Sequence, residues 1–509
     1  MLRKTTTYGR MLPVGLALAA VAIFYSATVR DGNFWGDDYA LYIHHAINIV
    51  EGRPYAATGY IYNRAVPDYG PRAYPPVFPL LLVPIYWAFG LNLHAMKIEE
   101  VFFFLLSLMT ITAYSLPRLK PPYLAALVGI LGFNPYLWSL KDSIISDFPF
   151  LFFFYLTALA AGHPLRQGRW SLVWAAVTGV LLYLCVGTRT IGLSIVAGLV
   201  LYDIVKCGKL TRFAITAILV CCAFMLLQRH VIAAGEQSYA DQLRPTLQSL
   251  LFNLRDYSRD FVFLWGKPWG TRMSVMIFVV TTLLACFGMF KHAQGGLTTV
   301  EAFLIPYLVV IWVWPSAQGL RFLLPLIPFY IFLVSLGVQE LINSAKKGWI
   351  KPLAALPVLT VVLSYAAFFR NANYSVIRQT DGRPSFNELC RFIQAKTGPD
   401  DVFIFRRSRA LSLFTSRPAV VYDYSVAHPE QIAKDLDKFH ANYIVASPIF
   451  EEDRAVLIPF VKSYLSHLDK VYENPDFELY KIREGAIDSS AKPAYNPVAA
   501  RSQSTKQQP

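Results

Sequence analysis

Charged residues are scarce in this sequence. Only 16% of its 509 residues are Asp, Glu, Lys or Arg, whereas 55% are hydrophobic, and both values depart from those of soluble globular domains. Apolar segments recur from Met11 to about Phe369, and most of them are long enough to cross a bilayer. The composition therefore excludes an ordinary soluble protein. It predicts an α-helical polytopic membrane protein with about eleven transmembrane helices.

Cysteine is scarce as well, and its positions exclude two kinds of structure. Cys390 stands alone in a polar C-terminal region, and the other five cysteines lie in or beside apolar segments. This spacing is neither a disulfide framework nor a metal-type motif. A glycine-rich phosphate loop is also missing, so nucleotide binding is not supported. No cofactor is predicted, although a divalent metal stays possible.

The net charge of +14 does not require a nucleic-acid partner, because much of the Lys and Arg lies in short loops between apolar segments. Positive charge in such loops sets the orientation of a membrane protein. With the N-terminus in the cytoplasm and Met11–Thr28 as a retained first span, the basic loops all fall on the cytoplasmic side. They contain Arg118, Lys120, Arg166, Arg169, Lys206, Lys209, Arg212, Lys291, Lys346, Lys347 and Lys351. Eleven spans then place the C-terminal region outside, in the periplasm or extracellular space.

The chain is predicted to contain two domains and a tail. Residues 1–370 form the transmembrane domain, which includes a first exoplasmic loop at about residues 30–77. Residues 371–484 alternate predicted helices and strands, a pattern typical of a small α/β domain. The helices are predicted at Phe386–Ala395, Pro429–Phe439 and Arg454–Leu468, and the strands at Asp401–Phe405, Ala419–Tyr422, Asn442–Ala446 and Phe477–Lys481. The tail, 485–509, is rich in Ser, Ala, Pro, Gln and Lys and is predicted to be disordered.

The first exoplasmic loop contains an amphipathic helix. Its apolar residues fall at helical spacing from Tyr39 to Val50, and His44 and His45 fall on the opposite, polar face. Gly52 and the proline after it end the helix. We interpret the two histidines as surface residues, although a metal site at them is conceivable.

Two adjacent carboxylates, Asp37 and Asp38, begin this helix. One interpretation is helix capping, since an N-cap aspartate stabilises a helix by about 1 kcal/mol. The other is catalysis. Neighbouring carboxylates beside apolar surface repel each other and lose water, and both effects raise a pKa toward the range of a general base. The residues alone leave both interpretations open.

Several short motifs, in order along the chain, resemble those of the GT-C membrane glycosyltransferases. The most similar branch holds the dolichyl-phosphate-mannose protein mannosyltransferases and the lipid A aminoarabinose transferase. The resemblance covers about residues 11–370 and rests on Trp35–Tyr39, Gly52–Tyr55, Tyr74–Pro79, Phe89-Gly90, Ile145–Pro149, Gly187–Gly192 and Arg321–Pro328.

The resemblance implies a sugar donor carried on a polyprenyl phosphate. Asp37 matches the catalytic acidic position of the family and would act as general base on an acceptor hydroxyl, with inversion at the anomeric carbon. Asp38 stands where the family often has Glu, so which of the two is the base stays open.

The leaving group would be a lipid phosphate, which needs fixed positive charge. The aminoarabinose branch has a Lys before its Pro-Pro, and Arg72 is the nearest base here, with Arg189 and Arg321 as further candidates for phosphate binding. Headgroup contact or helix-end anchoring is the alternative for these arginines. Asp147, Tyr74 and His44 are candidates for binding the acceptor or supporting the site, and Asp147 could instead cap a helix.

The sequence therefore favours a membrane glycosyltransferase, a hexosyl- or pentosyltransferase of the cell envelope in the bacterial inner membrane. Its acceptor would be a lipid, a glycan or a protein. One alternative is a flippase of lipid-linked sugars, which should show mid-span ionisable residues and repeated halves. The candidate acids here lie in loops, and no internal repeat is visible. A polysaccharide polymerase or ligase is a second alternative.

Overall fold

The computed structural model describes residues 2–231, 246–266, 270–315, 317–344, 350–424 and 429–483. The predicted disordered tail and the basic loop residues Lys346 and Lys347 lie outside these ranges. The chain divides into two compact units. The first consists of Met1–Asp31 and Tyr74–Val376, and the second of Gly32–Ala73 together with the residues from Ile377 onward.

Most of the described chain is helical. The helices are α1 (Leu2–Ala27), α2 (Asp38–Val50), α3 (Val77–Phe89), α4 (Leu93–Ser115), α5 (Pro121–Gly132), α6 (Pro135–Leu140), α7 (Asp147–Gly162), α8 (Ser171–Thr188), α9 (Leu193–Cys207), α10 (Arg212–Val231), α11 (Leu247–Val262), α12 (Thr271–Ala293), α13 (Thr299–Val313), α14 (Leu326–Ser344), α15 (Ile350–Asn371), α16 (Pro384–Lys396), α17 (Ser408–Thr415), α18 (Pro429–Lys438) and α19 (Ile458–Ser463). The strands are β1 (Tyr60–Ile61), β2 (Phe403–Ile404), β3 (Ala419–Val420), β4 (Tyr443–Ala446), β5 (Leu468–Glu473) and β6 (Glu478–Ile482).

The first unit holds the apolar helices. Among the described residues, five helical segments are long and apolar enough to cross a membrane: Ser171–Thr188, Thr190–Cys207, Arg212–His230, Thr271–Ala293 and Leu326–Ser344. Shorter apolar helices accompany them at Met11–Ala27, Val77–Phe89, Pro121–Gly132, Asp147–Gly162, Thr299–Val313 and Leu356–Asn371. These helices make the protein an integral membrane protein. The total of eleven spans stays a prediction.

Helix α4 carries charged side chains inside its length. Lys97, Glu99 and Glu100 are all buried in its first half. The sequence interpretation placed the candidate acids in loops and did not consider these three residues. Ionisable residues of the first unit therefore lie in a helix as well as in loops. Their burial in a helix of mostly apolar composition requires partners from the surrounding structure.

Helices α12 and α14 pack closely through glycine. A Cβ at Gly288 would lie 2.0 Å from the Leu333 carbonyl oxygen, and one at Gly337 would lie 2.1 Å from that of Leu284. Only a residue without a side chain permits this approach. Small residues commonly let helices pack at such distances within membranes.

The apolar segment Tyr123–Leu137, which the prediction of eleven spans counts as one span, is interrupted. Helix α5 ends at Gly132, and α6 begins again at Pro135. Asn134 fills the break, because its Oδ1 accepts hydrogen bonds from the backbone N–H groups of Tyr136 and Leu137. Its Nδ2 donates to the Tyr365 hydroxyl at 2.8 Å. The buried amide thus satisfies the backbone groups that the break exposes.

The second unit is built on a six-stranded sheet of order β1-β3-β2-β4-β6-β5. Strands β1, β3, β2 and β4 run parallel, whereas β6 pairs antiparallel with β4 and β5. The register places Phe403 of β2 between Ala419 and Tyr443. Aromatic and aliphatic side chains cover both faces of the sheet, as a mostly parallel sheet requires.

Most of the predicted elements of the C-terminal region are present. The helices predicted at Phe386–Ala395 and Pro429–Phe439 and the strands predicted at Asp401–Phe405, Ala419–Tyr422 and Asn442–Ala446 correspond to α16, α18, β2, β3 and β4. The helix predicted over Arg454–Leu468 was too long, because β5 begins at Leu468. Helix α17 was not predicted.

Residues Gly32–Ala73, which lie between α1 and α3, belong to the second unit rather than to the helical one, which differs from the domain division expected from sequence. Its strand β1 pairs with β3, and Trp35 packs edge-to-face on Phe386 and Phe450. The Thr380 hydroxyl donates to the Asn33 carbonyl at 2.9 Å. Apolar residues of the loop therefore find their partners in the core of the α/β fold.

Candidate active site

Asp37 lies in the second unit at the N-cap position of α2, but its side chain does not cap the helix. Its backbone carbonyl accepts from the Ala40 N–H at 3.2 Å. The side chain is only 6% exposed. Neither carboxylate oxygen has a hydrogen-bond partner among the residues that the structure describes. Capping therefore does not account for this carboxylate.

The surroundings of Asp37 raise its pKa to about 6. Burial is the largest cause, because it disfavours the charged form, and the negative charge of Asp38 adds to it. The guanidinium groups of Arg407, Arg409 and Arg406 act in the opposite direction. The balance leaves a carboxylate that is ionised near neutral pH and basic enough to take a proton.

Asp38 has a different environment from its neighbour. Arg409 donates to its Oδ1 at 3.3 Å, and the side chain of Asp38 is about one-third exposed. The same arginine donates to the Pro71 carbonyl at 3.1 Å, and its guanidinium lies over the rings of Tyr60 and Tyr69 at 4.6 and 4.9 Å. Of the two adjacent acids, Asp38 is therefore ion-paired, whereas the Asp37 carboxylate has no hydrogen bond within the described ranges.

Arg406, Arg407 and Arg409 were missed by the sequence interpretation. They follow strand β2 directly, as Phe405-Arg406-Arg407-Ser408-Arg409. Three arginines within four residues, placed after a strand of a parallel sheet, are a usable signal, because ligands bind at the carboxyl ends of such strands. The strand had been recognised, but its arginines had not been considered.

His44 and His45 are buried, so their interpretation as surface histidines was wrong. Burial lowers the pKa of His44 to about 4 and that of His45 to about 3. The His45 ring stacks on Tyr55 at 4.1 Å. Its Nδ1 lies 2.8 Å from the Tyr55 carbonyl oxygen, and the neutral ring must carry its proton on Nδ1 to make this bond. Both histidines are therefore neutral at physiological pH.

The remaining loop candidates differ in exposure. Arg72, in the second unit, is exposed. Tyr74, the first residue of the first unit after the loop, is 6% exposed. An exposed arginine is available to an incoming anion, whereas a buried tyrosine contributes mainly to packing.

In the first unit, Asp147 joins two arginines that are distant in sequence. It is 1% exposed and is the first residue of α7, after the N-cap Ser146. Arg189 donates to its Oδ1, and Arg321 donates to its Oδ2 at 2.7 Å. The three predicted residues Asp147, Arg189 and Arg321 thus form one cluster. A buried carboxylate between two arginines resists removal, since breaking such a pair leaves an uncompensated charge that costs about 3–5 kcal/mol.

A second charged cluster of the first unit was not predicted. Asp142 accepts from Arg30 Nε and from Lys141 Nζ, both at 2.7 Å. Lys97 Nζ donates to the Arg30 carbonyl at 2.9 Å, and Lys141 lies 4.0 Å above the Trp138 ring. These contacts tie the ends of α1, α4 and α6 together.

Metal binding has no assembled site in the described part of the chain. Within those residues no group of three or more His, Cys, Asp or Glu side chains could hold an ion.

The fold alone defines a class: the chain has the fold of the GT-C membrane glycosyltransferases. No protein-family model matches the sequence, and no curated protein matches it significantly. Solved structures do match. ArnT from Cupriavidus metallidurans bound to undecaprenyl phosphate superposes with a TM-score of 0.55 at 14% identity, over 94% of this chain and 98% of that one.

Two other solved structures share the fold. The archaeal oligosaccharyltransferase AglB from Archaeoglobus fulgidus, with an inhibitory peptide and a dolichol-phosphate, has a TM-score of 0.56 at 10% identity, over 87% of this chain and 70% of that one. The arabinofuranosyltransferase AftD from Mycobacteria has a TM-score of 0.58 at 13% identity, over 93% of this chain and 40% of that one. At these identities the likeness concerns the fold.

Proposed function

We propose that this protein is an integral membrane glycosyltransferase that moves a hexosyl or pentosyl group from a polyprenyl phosphate to an acceptor hydroxyl. The acceptor is carried by a lipid, a glycan or a protein at the exoplasmic face. The observation that carries the proposal is Asp37, a buried carboxylate that neither caps its helix nor forms a hydrogen bond within the described structure.

In the proposed step, Asp37 removes the proton from the acceptor hydroxyl as the hydroxyl oxygen attacks the anomeric carbon. The bond from that carbon to the phosphate oxygen breaks, and the polyprenyl phosphate leaves with the electron pair. Attack from the face opposite the leaving group inverts the anomeric configuration. A pKa of about 6 suits this role, because the carboxylate is ionised at neutral pH and still accepts a proton.

The leaving phosphate gains negative charge in the transition state, and we assign its stabilisation to Arg72, Arg189 and Arg321. Guanidinium groups suit this task because their planar N–H forks match phosphate oxygens. Asp147 positions Arg189 and Arg321 through its two carboxylate oxygens. Polyprenyl phosphates bound to ArnT and AglB support a donor of this class.

Transfer from radiolabelled polyprenyl-phosphate sugars tests the proposal, with membranes that carry the wild-type protein, Asp37→Asn or Asp38→Asn and a mixed envelope extract as acceptor. We expect the turnover of Asp37→Asn to be at least 100-fold lower than that of the wild type, since general-base catalysis contributes about 10²–10⁴-fold to the rate. Asp38→Asn should retain more. Asp437→Asn, an exposed aspartate of α18, is the matched control and should behave as the wild type.

The outcomes separate the alternatives. Full turnover by Asp37→Asn would remove Asp37 as the base. Movement of the lipid-linked sugar across the bilayer without any transfer would replace the transferase with a flippase. Repetition of the assay after chelation with EDTA, and again after addition of Mg²⁺ or Mn²⁺, determines whether a divalent metal takes part.

A further inference from the structure

The sheet of the second unit has a polar edge whose arginines, Arg406 and Arg407, have no role in the proposed reaction. Strands β1, β2 and β3 are parallel, so the residues that follow them lie at one edge of the sheet. Arg406 and Arg407 follow β2, and Asp423 and Tyr424 follow β3. This is the edge at which open parallel sheets bind their ligands.

The guanidinium groups of Arg406 and Arg407 each lie over the face of an aromatic ring. The Arg406 guanidinium lies 4.0 Å above the Tyr424 ring, and that of Arg407 lies 5.4 Å above the Phe450 ring. Stacking of this kind restrains a guanidinium but leaves the N–H groups along its edge available for hydrogen bonds. The arginines are therefore oriented before any ligand binds.

Several of these N–H groups have no acceptor in the part of the chain that the structure describes. Arg406 is 7% exposed, and its Nη2 donates to Glu452 at 2.7 Å. Its Nε and Nη1, and the Nε of Arg407, are buried without a hydrogen-bond partner among the described residues. Buried donors that lack an acceptor are unfavourable, and an oxyanion would supply two or three acceptors at once.

We propose that Arg406 and Arg407 form a binding site for an oxyanion, a phosphate or carboxylate group, that the sugar acceptor carries near its reactive hydroxyl. This inference rests on the proposed function, and it narrows the acceptor to an anionic molecule. Arg409 is not part of this proposed site, because it donates to Asp38 and to the Pro71 carbonyl.

The acceptor, and not the donor, is the source of the anion because of the direction of attack. In an inverting displacement the general base and the leaving group lie on opposite faces of the sugar ring. Arg407 lies over the Phe450 ring, on which Trp35 also packs two residues before Asp37, and the neighbouring Arg409 donates to Asp38. We therefore assign Arg406 and Arg407 to the side of the base. An anion at that face travels with the nucleophile, whereas the donor phosphate departs from the other face.

The test uses the full-length protein and matched acceptors. Envelope extract is separated by anion exchange into neutral and anionic fractions, and the anionic fraction is assayed untreated, after phosphatase and after methyl esterification of carboxylates. We expect acceptor activity in the anionic fraction and its loss after one of the two treatments. Loss of acceptor activity after phosphatase identifies the oxyanion as phosphate, and loss after methyl esterification identifies it as carboxylate.

Variants connect the anion to these residues. Arg407→Gln should raise the KM for the acceptor about 10- to 100-fold, the range expected for one charge-assisted hydrogen bond, and should leave the KM for the donor unchanged. Arg406→Gln should act similarly, with some loss of stability because it also breaks the Glu452 pair. Arg391→Gln, an exposed arginine of α16, is the control and should match the wild type.

Two results would overturn the proposal: a rise in the donor KM instead of the acceptor KM, or acceptor activity as high in the neutral fraction as in the anionic fraction. If no transfer occurs with any donor, the oxyanion site is tested on its own, by thermal stabilisation of the protein by inorganic phosphate at constant ionic strength. Thermal stabilisation of the wild type and Arg391→Gln, but not of Arg407→Gln, would keep the oxyanion site and remove only the transferase. Absence of stabilisation in the wild type would then remove the site as well.

Discussion

At the scale of single residues, burial of the ionised Asp37 carboxylate lowers the stability of the fold at neutral pH. Its pKa rises from 3.8 to about 6, and a shift of two units corresponds to about 3 kcal/mol. Because the folded-state pKa is the raised one, the folded protein favours the protonated acid. The associated stability is fully present below pH 4 and is lost as the pH rises to about 6.

This titration predicts opposite effects of pH on activity and stability. Wild-type kcat/KM should rise with pH and level off above an apparent pKa near 6, because the base must be ionised. Asp37→Asn, which carries no charge, should have a free energy of unfolding up to about 3 kcal/mol higher than that of the wild type above pH 6. It should therefore melt at a higher temperature there, and it should match the wild type below pH 4. Rate profiles and melting curves of the purified protein from pH 4 to 8 measure both effects.

Asp453 is the control for this prediction. It is a buried acid of the same unit, and its pKa is raised to about 7. Unlike Asp37, it accepts hydrogen bonds from the Tyr422 hydroxyl and the Ser447 N–H. Asp453→Asn should therefore lower stability and leave the pH profile of activity in place. A loss of stability in Asp37→Asn at pH 7 would instead assign Asp37 a structural role.

At the scale of elements, the loop Gly32–Ala73 is part of the α/β unit through two contacts. Strand β1 extends the sheet beside β3, and Trp35 enters an aromatic group with Phe386, Phe450 and Phe477. Asp37 follows Trp35 by two residues, so the packing of the tryptophan fixes where the carboxylate lies. The position of the candidate base therefore depends on hydrophobic contacts made by its neighbour.

Trp35→Ala tests this dependence. Loss of a buried tryptophan should destabilise the second unit by about 3–5 kcal/mol. It should also speed hydrogen exchange at the Ala419 N–H, which donates to Gly59 of the loop at 2.9 Å. Hydrogen-exchange mass spectrometry measures the second effect. Leu465→Ala, a half-exposed leucine of the same unit, should change neither quantity, and normal protection of Ala419 in Trp35→Ala would show that the tryptophan does not hold the loop.

Elements of this chain were predictable where their signal is local. Apolar runs located the helices of the first unit, and strand propensity located β2, β3 and β4. Contacts across long separations were not predictable. The Thr380–Asn33 bond joins residues 347 positions apart, and the helical pattern that placed His45 on a polar face did not include Tyr55, which covers it. The cluster of Asp147 with Arg189 and Arg321 was anticipated only as three separate motifs.

At the scale of the whole molecule, the side of the membrane on which the C-terminus lies depends on two short elements. Helix α3 has 13 residues, about 20 Å of rise, and cannot cross a hydrocarbon core about 30 Å thick. Helix α5 has only 12 residues, but α6 continues it after the break at Asn134. Counting α5 and α6 as one interrupted span and α3 as an interfacial helix gives an odd number of spans.

An odd number predicts that the N- and C-termini lie on opposite sides of the membrane. Alkaline phosphatase fused after Arg483 should be active in the periplasm, and green fluorescent protein at the same position should stay dark. Fusions after Lys120 and after Arg169 should show the reverse, because the positive-inside rule places both in the cytoplasm. A fluorescent fusion at Arg483 would make the number of spans even. Cytoplasmic reporters at both Lys120 and Arg483 would then locate the miscounted span after Lys120 and identify the interrupted α5–α6 segment as the first candidate.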